Sequence, residues 1–166
     1  MKRFALFLFM CVLIVPAWAS DDDNDTTPIA MCSSLPEAAK IELLTLDKAK
    51  QICRAMNLLP DIRVKDVRVF SKAYAILVYE GYEGSIDSIT KQLVQIVKLR
   101  GLNEQPARWY DEINLIIKTY QGLNGVVTPI DAVQFLQAAG PMAKSLSDDG
   151  FLVMLIMISD QKQKAN

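Results

Sequence analysis

The sequence contains no histidine, and this absence excludes several kinds of chemistry at once. Ser-His and Cys-His catalysis, HExxH peptidases and imidazole-based metal sites all need that side chain. A histidine-based pH switch is excluded for the same reason. The sequence also lacks a glycine-rich phosphate loop, the GxSxG nucleophile motif and a CxxC pair. We therefore predict a protein that is not an enzyme, with no catalytic residue, metal or cofactor.

Clustered positive charge and long apolar runs are scarce as well. The chain has 18 Lys and Arg against 19 Asp and Glu, and no basic stripe is visible. Nucleic-acid binding needs clustered Lys and Arg for the phosphates, so we predict no nucleic-acid partner. Beyond the N-terminus the longest apolar run covers residues 151–158. A membrane-spanning helix needs about 20 apolar residues, so we also predict no stable membrane insertion.

The first twenty residues have the organisation of a secretory signal peptide. Lys2 and Arg3 precede an uncharged apolar run over residues 4–15, Pro16 interrupts it, and residues 17–19 read Ala-Trp-Ala. A short positive start, an apolar centre and small residues at the cleavage site are typical of such peptides. The alternative, an uncleaved membrane anchor, needs a longer apolar run. We predict cleavage after residue 19 and a periplasmic or secreted protein.

The remaining 147 residues are enough for one domain with its own core. Residues 20–33 form an acidic leader without apolar periodicity, which we predict to be flexible, and residues 34–166 form a single helical domain. The spacing of Asp21, Asp23 and Asp25 is that of the start of a calcium-binding EF-hand loop. The glycine and the glutamate that such a loop needs further on are missing, so we interpret the leader as a solvated tail.

Two cysteines remain after the predicted cleavage, Cys32 and Cys53. In an exported protein an even pair indicates a disulfide bond, which would close a loop worth about 3 kcal/mol in the chain-entropy model. The alternatives are two free thiols or two ligands of a soft metal. Two sulfurs without further ligands make a poor metal site, so we predict the disulfide.

Apolar residues recur at helical spacing through most of the chain. The predicted helices cover residues 34–57 (one helix, or two that meet near Thr45), 64–79, 86–100, 106–121, 129–139 and 150–161, with a short turn or helix over 141–146. Ser85, Pro106 and the Thr128-Pro129 pair are typical helix starts, and Gly101 is a typical helix end. We predict an all-α, compact, bundle-like domain of six to seven helices.

The sequence patterns of two of these helices are ambiguous. Residues 64–79 are rich in β-formers, but Val67, Phe70, Tyr74 and Leu77 follow a helical stripe, so we prefer a helix to a strand. Residues 151–158 are apolar all round. We therefore expect the last helix to be the most enclosed one in the domain.

Carboxylates are the remaining candidates for catalysis. Glu80, Glu83 and Asp87 surround a glycine turn, and Asp111 and Glu112 are adjacent in a helix. A glycosidase needs two carboxyl groups that face one sugar, about 5 to 9.5 Å apart, and no signature for such a pair is present. We interpret these acids as solvated charges. A cell-wall-acting enzyme is therefore only our third hypothesis.

The Tyr79-Glu80-Gly81-Tyr82-Glu83-Gly84 turn is the candidate binding site, with Tyr79, Glu80, Tyr82 and Glu83 as contact residues. Rigid, amphipathic tyrosines are favoured at protein interfaces, and neighbouring acids can steer a basic partner. In the alternative interpretation Tyr79 is the last core residue of its helix and Tyr82 only covers the turn. A second aromatic cluster includes Trp109, which lies on the apolar stripe of its own helix and is assigned to the core.

We expect an exported binding protein whose partner is another protein, a toxin or a hydrolase. Small exported helical domains with one disulfide include the immunity proteins that neutralise cell-wall-cutting toxins, and the analogy extends to size, export and fold class only. The alternative is a periplasmic chaperone or a carrier of small apolar ligands, for which Met142, Met154 and Met157 would offer adaptable contacts. The sequence leaves the oligomeric state open.

Overall fold

The computed structural model describes residues 46–165. Six α-helices form this part of the chain: α1 (Leu46–Ala55), α2 (Val64–Tyr79), α3 (Ile86–Leu99), α4 (Pro106–Gly122), α5 (Pro129–Ala139) and α6 (Asp148–Ala165). Short 3-10 segments cover Met56–Leu58 and Gly140–Ser145, and none of residues 46–165 lies in a β-strand. The all-α prediction is confirmed. Val64–Tyr79 is a helix, as predicted, and not a strand.

Helix α3 is the centre of the described fold, because it packs against α1, α2, α4 and α5. The hydroxyl oxygen of Ser85 starts it by accepting the backbone N–H of Ser88 at 3.1 Å, which is a standard N-cap. Its inward residues Ile89, Leu93 and Val97 recur at helical spacing and are fully buried. The neighbouring helices therefore all dock onto a single amphipathic element.

The prediction that the last helix is the most enclosed one is wrong. In α6 only Phe151, Leu155 and Ser159 are buried, on the side that packs on α4. Val153 and Met157, on the opposite side, are 54% and 47% exposed. An apolar run that continues around the whole helix carries no information about which side faces the core. The position of α4 sets the side that is covered.

A buried arginine at the end of α3 joins α4 and the start of α6. Arg100 Nε donates to Glu112 Oε1 at 2.9 Å, and Nη1 donates to the carbonyl oxygens of Ala143 and Leu146 at 3.0 and 2.6 Å. Nη2 donates to Asp148 Oδ1 at 3.1 Å. The side chains of Arg100 and Glu112 are only 3% and 1% exposed. One guanidinium therefore satisfies acceptors from two segments that are distant in sequence, Glu112 and residues 143–148.

Two further features complete this network. The guanidinium carbon of Arg100 lies 5.0 Å from the centre of the Phe151 ring, in a cation–π arrangement. Burial raises the pKa of Glu112, while the charge and hydrogen bond of Arg100 act in the opposite direction. The expectation of a solvated Glu112 is therefore wrong. The expectation holds for Asp111, which is exposed.

Helix α5 starts with a capping box that α6 supports. The Asp131 carboxylate accepts the Thr128 backbone N–H at 2.8 Å, and the Thr128 hydroxyl oxygen accepts the Asp131 N–H at 3.4 Å. Lys162, from α6, donates to the same carboxylate oxygen at 2.6 Å. Burial raises the pKa of Asp131, but the hydrogen bonds from Lys162 and Thr128 outweigh it, so the pKa is lowered overall.

We expect Asp131→Asn to lower the free energy of unfolding by about 1 kcal/mol at neutral pH. A carboxyl group whose pKa is lower in the folded protein stabilises the fold above its unfolded pKa, and this contribution disappears as the pH falls through the folded value. The difference between wild type and variant should therefore be constant above about pH 5 and shrink on acidification. Urea denaturation at a series of pH values measures it. A difference that persists unchanged down to about pH 2 would contradict this assignment.

Several sequence predictions lie outside the described residues. These are the signal peptide, the acidic leader, Cys32 and the part of the predicted 34–57 helix that precedes Leu46. Cys53 is fully buried on α1, as its place on the apolar face predicts, and the disulfide remains a prediction. Among the helices of residues 46–165, none combines the length and the apolar character that crossing a membrane would require.

Candidate protein-binding site

The turn between α2 and α3 is a regular C-terminal helix cap. The Gly81 N–H donates to the Val78 carbonyl at 3.0 Å, and the Tyr82 N–H donates to the Leu77 carbonyl at 2.8 Å. This pair of bonds defines a Schellman motif, which needs a residue with positive φ after the helix. Gly81 supplies it with φ of 91°. The backbone of the turn is therefore fixed by its own hydrogen bonds.

Tyr82 fastens the turn to the body of the protein. Its hydroxyl donates to Gln92 Oε1 on α3 at 2.7 Å, and its ring meets the ring of Tyr120 edge-on at a centroid distance of 5.6 Å. Burial raises the pKa of the Tyr82 hydroxyl, so it stays protonated and can donate this bond at neutral pH. Tyr82 is half-buried. This agrees with the alternative interpretation, in which Tyr82 covers the turn.

Tyr79 has the opposite environment. Its side chain is 87% exposed, and its neighbour Val78 is 42% exposed. Leu77 is fully buried, and a residue two positions further along a helix points about 200° away, onto the outer side. Tyr79 is therefore not the last core residue of α2. The stripe of Val67, Phe70, Tyr74 and Leu77 already indicates this outer position of Tyr79.

Carboxylates surround the exposed tyrosine in sequence. Glu80 and Glu83 are both exposed, and Glu80 Oε1 accepts a hydrogen bond from Gln121 on α4 at 2.8 Å. Asp87, in the first turn of α3, pairs with Lys91 at 2.7 Å, with both side chains about half exposed. The turn thus presents one aromatic ring and a local excess of negative charge.

The four predicted contact residues consequently fall into two groups. Tyr79, Glu80 and Glu83 are accessible to a partner, whereas Tyr82 holds the turn in place. Replacement of Tyr82 would disturb the scaffold as well as the surface. Experiments on binding should therefore begin with Tyr79.

A recess of about 480 Å³ lies beside the Arg100 network, away from the turn. Arg108 and Lys144 contribute positive charge to it, but both carboxylate oxygens of Asp148 already accept bonds from Arg108 Nη2, at 3.0 Å each. Arg100 already donates to four acceptors. This recess is polar, and its charges are largely paired within the chain.

Comparison of the chain with protein-family models, with curated proteins and with solved structures finds no match.

Proposed function

We propose that this chain is an exported binding protein of the immunity or inhibitor type, which recognises a basic surface of a protein partner with the turn around Tyr79. The observation that carries the proposal is the 87% exposure of Tyr79 on a turn whose backbone and neighbouring side chains are fixed. A single large aromatic ring in that position loses little conformational entropy when a partner covers it.

The physical basis is that a contact residue on a fixed turn loses less conformational entropy on binding than one on a mobile segment. Tyrosine has only two side-chain torsions and combines apolar area with a hydroxyl, so it is enriched among residues that dominate interface energies. The Schellman bonds at Gly81 and the hydrogen bond from Tyr82 to Gln92 hold the base of Tyr79 in place. Binding would then order one ring on a prearranged turn.

The charge of the turn supports a basic partner. Glu80 and Glu83 flank Tyr79 and Tyr82 in sequence, and both carboxylates are accessible. Complementary charge around an aromatic anchor accelerates association and excludes partners with like charge. A toxin or hydrolase with a cationic substrate groove would offer the positive charge that Glu80 and Glu83 complement. Such an interaction should weaken as the salt concentration rises.

We expect Tyr79→Ala to reduce partner capture at least about tenfold while leaving folding unchanged. The immobilised protein is exposed to a periplasmic extract of the source organism, and captured proteins are quantified by mass spectrometry. The tenfold loss corresponds to removal of one anchoring aromatic from an interface.

Leu58→Ala is the matched control, because Leu58 is an exposed apolar side chain (56%) in a different segment, Met56–Leu58. It should capture the same proteins as wild type. A partner retained equally by wild type and Tyr79→Ala would show that the turn is not the binding site. Clearing of a cell-wall gel by the purified protein would instead favour the enzyme hypothesis.

A further inference from the structure

The side of α6 that faces away from α4 carries an apolar centre between charged ends. We call it the outer strip of α6; its members follow helical spacing and comprise Asp149, Val153, Ile156, Met157, Asp160 and Lys164. Val153, Ile156 and Met157 are 54%, 42% and 47% exposed. These three neighbouring side chains form an apolar patch on one helix face, which is a candidate contact surface.

The charges of α6 divide into those used within the chain and those left on the strip. Asp148 accepts from Arg100 and Arg108, and Lys162 pairs with Asp131, so both are engaged internally. Asp149 and Lys164 are exposed, and neither enters an ion pair with any of residues 46–165. The helix dipole accounts for acids early and bases late in a helix, but not for their alignment with the exposed apolar residues.

We propose that two copies of this chain associate through the outer strip of α6, with the two helices antiparallel. When Ile156 and Met157 lie at the two-fold axis, Asp149 of each copy is level with Lys164 of the other. Ile156 and Met157 then pack on their counterparts, Val153 of each copy is level with Asp160 of the other, and both ends carry opposite charges. A parallel arrangement would instead place the two Asp149 side chains beside each other and the two Lys164 side chains beside each other, and such like-charge pairs are unfavourable. The strip is thus self-complementary in one orientation, as a two-fold interface requires.

A second copy explains the strip better than the other possible occupants. Asp149 and Asp160 would repel an anionic membrane surface, which attracts helices rich in Lys and Arg. A small apolar ligand needs a concave site, whereas the strip is the outer side of a helix. One helix pair is a small interface, so the expected dimer is weak, with a dissociation constant of about 1 to 100 μM.

Sedimentation equilibrium of the protein produced from the full-length sequence tests the proposal, over about 1 μM to about 1 mM. Wild type should pass from monomer to dimer in this range. Ile156→Glu should weaken association by about 30-fold or more, because it places like charges at the axis. Leu58→Glu changes an equally accessible apolar residue elsewhere and should leave the dimer intact.

Charge reversal tests the orientation and does not disturb the core. Asp149→Lys alone and Lys164→Asp alone should each weaken the dimer about tenfold, and the double variant should restore it. This rescue is expected only if the two residues face each other between copies. Circular dichroism confirms that all variants are folded.

Three results would overturn the proposal. The first is a monomer at every concentration. The second is a dimer insensitive to Ile156→Glu, and the third is a double charge reversal no better than the single ones. Strong uptake of an apolar dye by a monomeric wild type would assign the strip to the carrier function. Binding of that monomer to anionic vesicles would assign it to a membrane surface. The binding role of Tyr79 is independent of each outcome.

Discussion

Replacing Arg100 by methionine should lower the free energy of unfolding by about 3 to 5 kcal/mol. Methionine keeps most of the apolar volume of the side chain but donates no hydrogen bond. Glu112, whose side chain is 1% exposed, would then hold a buried charge without its cation. The carbonyl oxygens of Ala143 and Leu146 would lose the donor that reaches them. A loss of this size is a large fraction of the stability of an ordinary domain.

Arg108→Met is the matched control for this experiment. Both arginines donate to Asp148, but the Arg108 side chain is 44% exposed, so its ion pair is screened by water. Removing it should change the free energy of unfolding by less than about 1 kcal/mol. Urea denaturation of the purified variants measures both effects. Equal destabilisation by the two changes would show that burial of Arg100 does not determine its contribution.

The pH dependence of Arg100→Met identifies Glu112 as the source of the loss. Burial already raises the pKa of Glu112 in the folded protein, and loss of the neighbouring cation raises it further. A raised carboxyl pKa means that the folded state gains stability relative to the unfolded state as the pH falls. The deficit of the variant should therefore shrink on acidification. The double variant Arg100→Met, Glu112→Leu should recover part of the deficit at neutral pH.

Trp109→Ala should also lower the free energy of unfolding by about 3 to 5 kcal/mol. Trp109 is 1% exposed, its ring meets Phe70 edge-on at a centroid distance of 6.4 Å, and Nε1 donates to the Leu102 carbonyl at 2.6 Å. Alanine leaves a large cavity between α2 and α4. It also removes one of the two hydrogen bonds to the Leu102 carbonyl, which keeps the bond from the Gln105 N–H at 2.9 Å. The transition midpoint in urea gives the size of the loss.

Tyr79→Ala provides the comparison, because it removes an aromatic ring that is 87% exposed. Its free energy of unfolding should stay within about 0.5 kcal/mol of wild type. Trp109→Phe keeps an aromatic ring but not the N–H, so its loss should fall between the two. If Trp109→Ala were as mild as Tyr79→Ala, the assignment of Trp109 to the core would be wrong.

Local sequence signals were sufficient for the helices. Ser85 caps α3, Pro106 opens α4, and Thr128 with Pro129 starts α5, each by hydrogen bonding or backbone restriction within a few residues. Such signals act over short range, so they can be recognised without knowledge of tertiary contacts. Residues 64–79 were ambiguous because local signals do not decide their structure. Their β-branched side chains disfavour a helix locally, and tertiary packing outweighs this preference.

Tertiary features were harder to predict. Arg100 follows Lys98 at the end of α3, where cations are common, and nothing local distinguishes it as buried. Glu112 gave a usable signal, since it lies between Trp109 and Ile113 on the apolar stripe of α4, where a charge must find a buried partner. For the candidate site, the glycine turn could be recognised from the sequence. That Tyr79 is exposed while Tyr82 holds the turn in place could not, because the contacts of Tyr82 with Gln92 and Tyr120 come from α3 and α4.

The position of α6 gives the molecule uneven local stability. Besides the Arg100 network at its start and the bond from Lys162, few buried side chains hold this helix, mainly Phe151 and Leu155. Helix α3 is covered on several sides, so we expect its backbone amides to exchange with solvent only through unfolding of the whole domain. Less apolar surface is uncovered when α6 detaches from the other helices. We therefore expect the amides of α6 to exchange through a partial opening that those of α3 do not share.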